Sequence, residues 1–168
     1  MITPTARHRL GLSIVDAIDR QLIDLLRGNA RTPYAELARK VGLSAPAVHE
    51  RVGKLEAAGI IKGYRAEVAP EAVGLAVTAV IGVVQDSSGD TDGVLEALQQ
   101  HREVESCYFM AGEESFLLKV RVTTIAELER LIGELNRTRG VARTRTAIAL
   151  STKWEDRPQL IAAPARDS

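Results

Sequence analysis

His49, Glu50, Arg51 and Lys54 fall within six consecutive residues, behind a run of small and apolar side chains from Ser44 to Val48. An imidazole, a carboxylate, a guanidinium and an ammonium at that density can hydrogen-bond to base edges and neutralise phosphates. Covalent chemistry has far less to work with. His8, His49 and His101 are widely separated, and none has a cysteine or carboxylate at metal-ligand spacing. No G-x-S-x-G, Walker A or G-x-G-x-x-G stretch occurs. No catalytic residue, metal or cofactor is therefore expected. The lone cysteine, Cys107, excludes an intramolecular disulfide and is expected to be a buried small hydrophobe. Glu113 and Glu114 form a paired carboxylate in a strand-connecting loop, flanked by Gly112 and Ser115. They read either as a solvated turn or as a loop that receives a cationic ammonium.

The elements that must position the first cluster are short helices. Val48, Val52 and Leu55 recur at i, i+4 and i+7, and turning them inward puts Pro46, His49, Glu50, Gly53 and Lys54 on the opposite side, with Arg51 on the flank. Ala45, Ala47 and Gly53 keep that surface low. Ahead of it, Tyr34, Leu37, Ala38 and Val41 mark the inward face of another helix, with Thr32 as N-cap and Pro33 in the first turn. Gly42 supplies the left-handed residue for a tight turn, and Ser44 caps the helix that follows. An earlier helix over 16–27 carries Ile18, Leu22, Leu25 and Leu26, with Asp16 as cap and Asp19 in its first turn. Three helices so joined predict a helix-turn-helix whose last helix fits the major groove of double-stranded DNA. Ser44, Ala45, Pro46, His49, Glu50, Arg51 and Lys54 are its expected DNA contacts. Ile61–Val68 predicts a short strand or wing, from which Lys62 and Arg65 add phosphate contacts.

Charge supports this division. The 168 residues sum to zero formal charge, yet residues 1–65 carry 11 Lys and Arg against 6 Asp and Glu, and the remainder 11 against 16. The positive half is the one that would meet phosphates. Residues 1–12, with Arg7, His8 and Arg9, predict a flexible arm; residues 13–65 a DNA-binding domain; and residues 66–76, with Pro70 and Gly74, a linker. MITPTARHRL has no apolar stretch behind its charges, and no apolar run reaches the ~18 residues of a membrane span. A cytoplasmic protein is expected.

From residue 77 the hydrophobic period changes. Val77–Val84 is a near-continuous β-branched run, and 104–111, 116–122 and 141–150 read as further strands. Helices are predicted over 92–101 and after Thr124, where Glu127 completes a capping box. The order β-α-β-β-α-β predicts a ferredoxin-like domain over 77–155, before a flexible tail over 156–168. Its sheet would have helices on one side and an apolar open face on the other, implying a second copy of the chain. The fold class expected is α+β, a winged helix-turn-helix followed by a ferredoxin-like domain.

These pieces resemble the Lrp/AsnC (feast/famine) transcriptional regulators along about residues 15–157. The resemblance rests on VDAIDRQLIDLL, NARTPYAELARKVGLSAPAVHERVGKLEAAGIIKGYRAEV and VESCYFMAGEESFLLKV, in that order. Arg31, Glu36-Leu37-Ala38, Gly42-Leu43-Ser44, Arg51-Val52, Leu55-Glu56, Gly59-Ile60-Ile61 and Gly63-Tyr64 fall at the family's spacing. The resemblance implies promoter DNA as partner and a small-molecule effector, an amino acid or related metabolite. It also implies homodimers paired through the second domain and assembled further, commonly to octamers. It places the effector near Gly112, Glu113, Glu114 and Ser115. The family loop usually reads Gly-Asp-x-Asp before an aromatic; here glycine and aromatic are kept and Ser115 holds the second aspartate position. Two other functions fit the architecture: a tetrapyrrole decarboxylase of the sirohaem type, and an amino-acid sensor that acts on a protein partner.

Overall fold

The computed structural model describes residues 15–87 and 90–158. The expected arm, and the tail from residue 159 on, lie outside them. The described residues up to Ala66, joined by those from Trp154 on, make one compact unit, and Glu67–Lys153 make the other.

In the first unit three helices form where the apolar period and the caps coincide: α1 Ala17–Gly28, α2 Tyr34–Val41 and α3 Ala45–Ala57. At α1 the Asp19 amide donates to Asp16 Oδ1 at 2.8 Å while the Asp16 amide donates to Asp19 Oδ2 at 3.2 Å, a reciprocal capping box. Gly42 ends α2 at φ 70°, and the Leu43 amide returns to the Ala38 carbonyl at 3.0 Å. Ser44 accepts from the Ala47 amide at 3.4 Å and starts α3. Leu22, Leu37, Val48 and Val52 are fully buried between the helices. Each such side chain contributes about 1.5–3 kcal/mol through removal from water.

Three local expectations are corrected. Thr32 is not the cap of α2: its hydroxyl donates to the Asn29 carbonyl at 2.8 Å, and Pro33 takes the cap position. Tyr34 is half exposed rather than inward, which leaves Leu37 and Ala38 as the buried residues of α2. Residues 62–69 form no strand, so the expected wing is absent from the described chain. These residues are exposed and have no ladder partner; instead the Tyr64 hydroxyl donates to Glu56 Oε1 at 2.8 Å and ties the segment back to α3. A short 3-10 turn, Pro70–Val73, follows.

The second unit runs β1 Val77–Gln85, α4 Thr91–Gln99, β2 Val104–Phe109, β3 Phe116–Val122, α5 Ile125–Arg137 and β4 Val141–Ile148. The strands form one sheet in the order β2-β3-β1-β4, with all neighbours antiparallel. This is the ferredoxin-like arrangement predicted. Val94 and Leu98 of α4 and Leu128, Leu131 and Leu135 of α5 pack on Ala79, Ile81, Val83, Phe116, Leu118, Val120 and Val122. Thr124 caps α5, while the Glu127 carboxylate accepts from the amide and hydroxyl of Thr123 rather than closing a box on the cap itself.

The open face of the sheet is less apolar than expected. Strict alternation in β3 sends Phe116, Leu118, Val120 and Val122 under the helices and leaves Leu117, Lys119 and Arg121 outside. Lys119 and Arg121 meet Glu105 of β2 at 3.0 and 3.4 Å. Val80, Val84, Leu117 and Tyr108 give that face an apolar component beside its charged residues.

Candidate functional site

The outer side of α3 is laid out by the burial of Val48, Val52 and Leu55. Ser44, Pro46, His49, Glu50 and Lys54 are exposed on it. The Lys54 ammonium reaches Glu50 Oε1 at 2.7 Å, and that hydrogen bond holds the Glu50 carboxyl below its usual range. The His49 ring lies 5.0 Å from the Tyr34 ring, centroid to centroid and tilted by 48°, so α2 orients the imidazole. Ala45 is placed differently from expectation: it packs against the helical core.

Arg51 also has another task. Its Nη1 donates to Asp16 Oδ2 at 2.6 Å and to Asp19 Oδ1 at 2.9 Å, bridging α3 to the first turn of α1. Asp19 is buried, so the guanidinium partners a carboxylate with little access to water. Asp16 is held below the usual aspartate range, first by the Asp19 amide and then by Arg51. The phosphate role expected of Arg51 thus competes with a latch across 32 and 35 residues of sequence. Lys62 and Arg65, both exposed, border an open cavity of about 320 Å³ with Ile23, Leu26, Arg27 and Tyr64. Burial and the bond to Glu56 push the Tyr64 hydroxyl up to about 12.

Gly53 lies on the outer side of α3 with nothing within 4 Å of where a Cβ would stand. Glycine inside a helix costs about 1 kcal/mol relative to alanine. Gly53→Ala is accordingly expected to raise the stability of the first unit by about 0.5–1 kcal/mol and, by lifting the helix from the bases, to weaken DNA binding. Thermal unfolding and a DNA titration on the same preparation check both; unchanged affinity would place Gly53 away from DNA.

The Gly112–Ser115 loop joins β2 to β3. The Ser115 amide donates to the Val83 carbonyl at 2.8 Å, and the Met110 amide to the Ser115 carbonyl at 2.9 Å, so the loop is stitched to the sheet. Glu113 is half exposed and Glu114 one-third exposed, and both carboxylates are paired. Glu113 accepts from Arg143 Nη2 and, in a two-pronged pair at 2.9 and 3.0 Å, from Arg145 of β4. Arg145 reaches Glu114 Oε1 at 3.3 Å. Glu114 lies flat over Gly82 of β1, where an added Cβ would stand 2.6 Å from Glu114 Cγ. Arg143 and Arg145 are absent from the sequence-based assignment. Their signal was the alternation Arg-Thr-Arg-Thr in β4, which aims both cations to one face.

The other candidates stay apart. His101 Nδ1 faces Glu134 Oε2 at 3.6 Å, and Glu134 is shared with Arg130, itself paired with Glu103. Among the described residues no group of three His, Cys, Asp or Glu is placed to hold a metal ion. Cys107 is exposed on β2, an edge strand, contrary to the buried position expected. No described helix is long and apolar enough to cross a membrane.

The AsnC-type helix-turn-helix domain matches residues 15–56, and the Lrp/AsnC ligand binding domain matches residues 78–159. The HTH-type transcriptional regulator LrpA of Mycobacterium tuberculosis is 40% identical, over 87% of this chain and 97% of its own. The chain belongs to the Lrp/AsnC family. Another relative of this Lrp/AsnC chain, the regulatory protein AsnC of Escherichia coli, is 37% identical over 82% of this chain and 91% of its own. A feast or famine regulatory protein from M. tuberculosis, solved in complex with L-methionine, superposes with a TM-score of 0.82. It is 41% identical and covers 86% of this chain and 98% of its own. The Lrp/AsnC chain is thus a DNA-binding transcriptional regulator, and α3 lies within the matched helix-turn-helix domain.

Proposed function

We propose that this regulator reads promoter DNA through Pro46, His49, Glu50 and Lys54 of α3, with Ser44 at the helix start and Lys62 and Arg65 on the backbone phosphates. The observation that carries this reading is the outward row of polar side chains above a fully buried Val48 and Val52. A carboxylate such as Glu50 suits a cytosine amino group, and an ammonium suits phosphate or guanine. Arg51 and Ala45 support this helix from behind rather than meeting DNA.

The effector is an amino acid or related metabolite, received at Gly112, Glu113, Glu114 and Ser115. The relative solved with L-methionine supports that class. The protein acts in the cytoplasm as a homodimer paired through its second unit and assembled further, commonly to an octamer, and effector binding shifts that assembly and the spacing of the α3 helices. It works by binding rather than by catalysis: its one histidine in the sensor unit, His101, is turned to Glu134. A gel-shift titration of the protein on DNA upstream of its own gene tests the first part. His49→Ala with Lys54→Ala is expected to weaken binding at least tenfold; binding equal to wild type would refute the α3 assignment. A thermal-shift screen of the common amino acids, with assembly size measured for each hit, tests the second.

A further inference from the structure

Of the polar side chains on the outer side of α3, Glu50 and Lys54 hold each other at 2.7 Å. His49 has no such neighbour along its own helix. The residues three and four positions away from it are Ala45, Pro46, Val52 and Gly53. Ala45 packs into the helical core, Val52 is buried, and none of the four side chains can hydrogen-bond to an imidazole. The ring that meets His49 belongs to α2 instead: Tyr34, 5.0 Å away between centroids and tilted by 48°.

Tyr34 is itself firmly placed. It is the first residue of α2, one turn before the buried Leu37 and Ala38, and Pro33 ahead of it fixes the backbone at φ −60°. Gly42, with the bond from the Leu43 amide to the Ala38 carbonyl, then sets α2 against α3. The Tyr34 ring stays half exposed, so it stands at the surface beside the reading helix.

We infer that Tyr34 is a positioning residue for DNA reading: its ring fixes the His49 imidazole so that a ring N–H donates to N7 of a purine. The inference rests on the α3 reading above and deepens it. Guanine and adenine both present N7 as an acceptor in the major groove, and neither pyrimidine does. A histidine free to turn can swing to a phosphate instead, a contact that tells no base from another. An imidazole already limited to few rotamers loses less entropy on binding, and its bond forms only where the acceptor lies. Tyrosine suits the task of a wall, because its large ring has only two side-chain torsions to order. A purine is thereby required at one position of each half-site, and two helices set that demand jointly.

Selection of DNA from a randomised duplex pool by the full-length protein tests this. Wild type, Tyr34→Phe, Tyr34→Ala, His49→Ala and the Tyr34→Ala, His49→Ala double variant are compared. A preference among bases is a ratio of affinities, so a change in the folded fraction does not alter it. Wild type is expected to select a purine at one position of each half-site, and His49→Ala to lose that preference. Tyr34→Phe, which keeps the ring, is expected to retain it. Tyr34→Ala is expected to weaken it about two- to tenfold, the scale of one immobilised side chain. In the His49→Ala background the same substitution is expected to shift no base preference, because Tyr34 acts through His49. Replacing the selected purine by its 7-deaza analogue is expected to weaken wild type and to leave His49→Ala unchanged. An undiminished preference in Tyr34→Ala, or an equal loss in Tyr34→Phe, overturns the inference while the α3 reading stands. So does a shift caused by Tyr34→Ala without His49, a pyrimidine at the position His49 controls, or full wild-type affinity for the 7-deaza duplex. If His49→Ala alters no base preference, the reading at His49 falls and the inference falls with it.

Discussion

Phe116→Ala is expected to cost the sensor unit about 3–5 kcal/mol, the range for a fully buried aromatic. Phe116 is 1% exposed, pairs in register with Val83 of β1, and meets the Phe109 ring at 5.4 Å. It also stands immediately after Ser115, whose amide ties the loop to Val83. The truncation thus opens a cavity at the point from which the Gly112–Ser115 loop is hung. Two readouts should move together: denaturant unfolding of the second unit, and the affinity for any amino acid that stabilises the wild type. A loss below 1 kcal/mol would mean that the unit closes around the vacancy and that Phe116 is not the anchor argued here.

Arg51→Ala is the second large effect, and it separates two roles. As a latch, Arg51 holds α3 against α1 through Asp16 and Asp19. Removing it leaves the buried Asp19 carboxylate without its cation and is expected to destabilise the first unit, with Arg51 itself one-third exposed. DNA affinity should fall as α3 loses its fixed attitude, yet the salt dependence of binding should stay that of wild type, because no phosphate contact is lost. Lys54→Ala should do the reverse: little change in stability and a salt slope smaller by about 0.9 for the phosphate given up. A reduced salt slope in Arg51→Ala would return Arg51 to the phosphates. Asp19→Asn combined with Arg51→Ala should be less harmful than the two single losses added, by about 0.5 kcal/mol or more.

Much of this architecture was legible along the chain because its signals are local. The capping pair Asp16 and Asp19, the turn glycine Gly42, the cap Ser44 and the change from helical to strand period near Val77 each involve residues within a few positions of one another. Their outcome follows from backbone geometry, and element order did the rest. The misreadings share the opposite character. Arg51 was read as a DNA contact with no account of Asp16 and Asp19, because those partners lie 35 and 32 residues away in sequence. At Glu113 and Glu114 it was the partners that went unread: Arg143 and Arg145 arrive from 30 and more residues later, on a strand whose alternation was noticed only as a strand. Ile61–Val68 has enough β-formers to suggest a ladder, but a strand exists only where another strand offers hydrogen bonds, and none is at hand among the described residues. Cys107 was assigned inside by residue type, whereas its place on an edge strand decides its exposure.

The turn between α2 and α3 is held at Gly42 by backbone handedness alone, since nothing stands within 4 Å of its missing Cβ. Volume is therefore no obstacle there; mirror symmetry is. Made by chemical synthesis, a domain with D-alanine at this position would keep φ near 70° without strain and would have fewer unfolded conformations to lose, a gain of about 0.4–1 kcal/mol. L-alanine, with the same atoms, would destabilise the same turn. The angle at which the reading helix leaves its neighbour is thus fixed by a choice of hand at a single carbon.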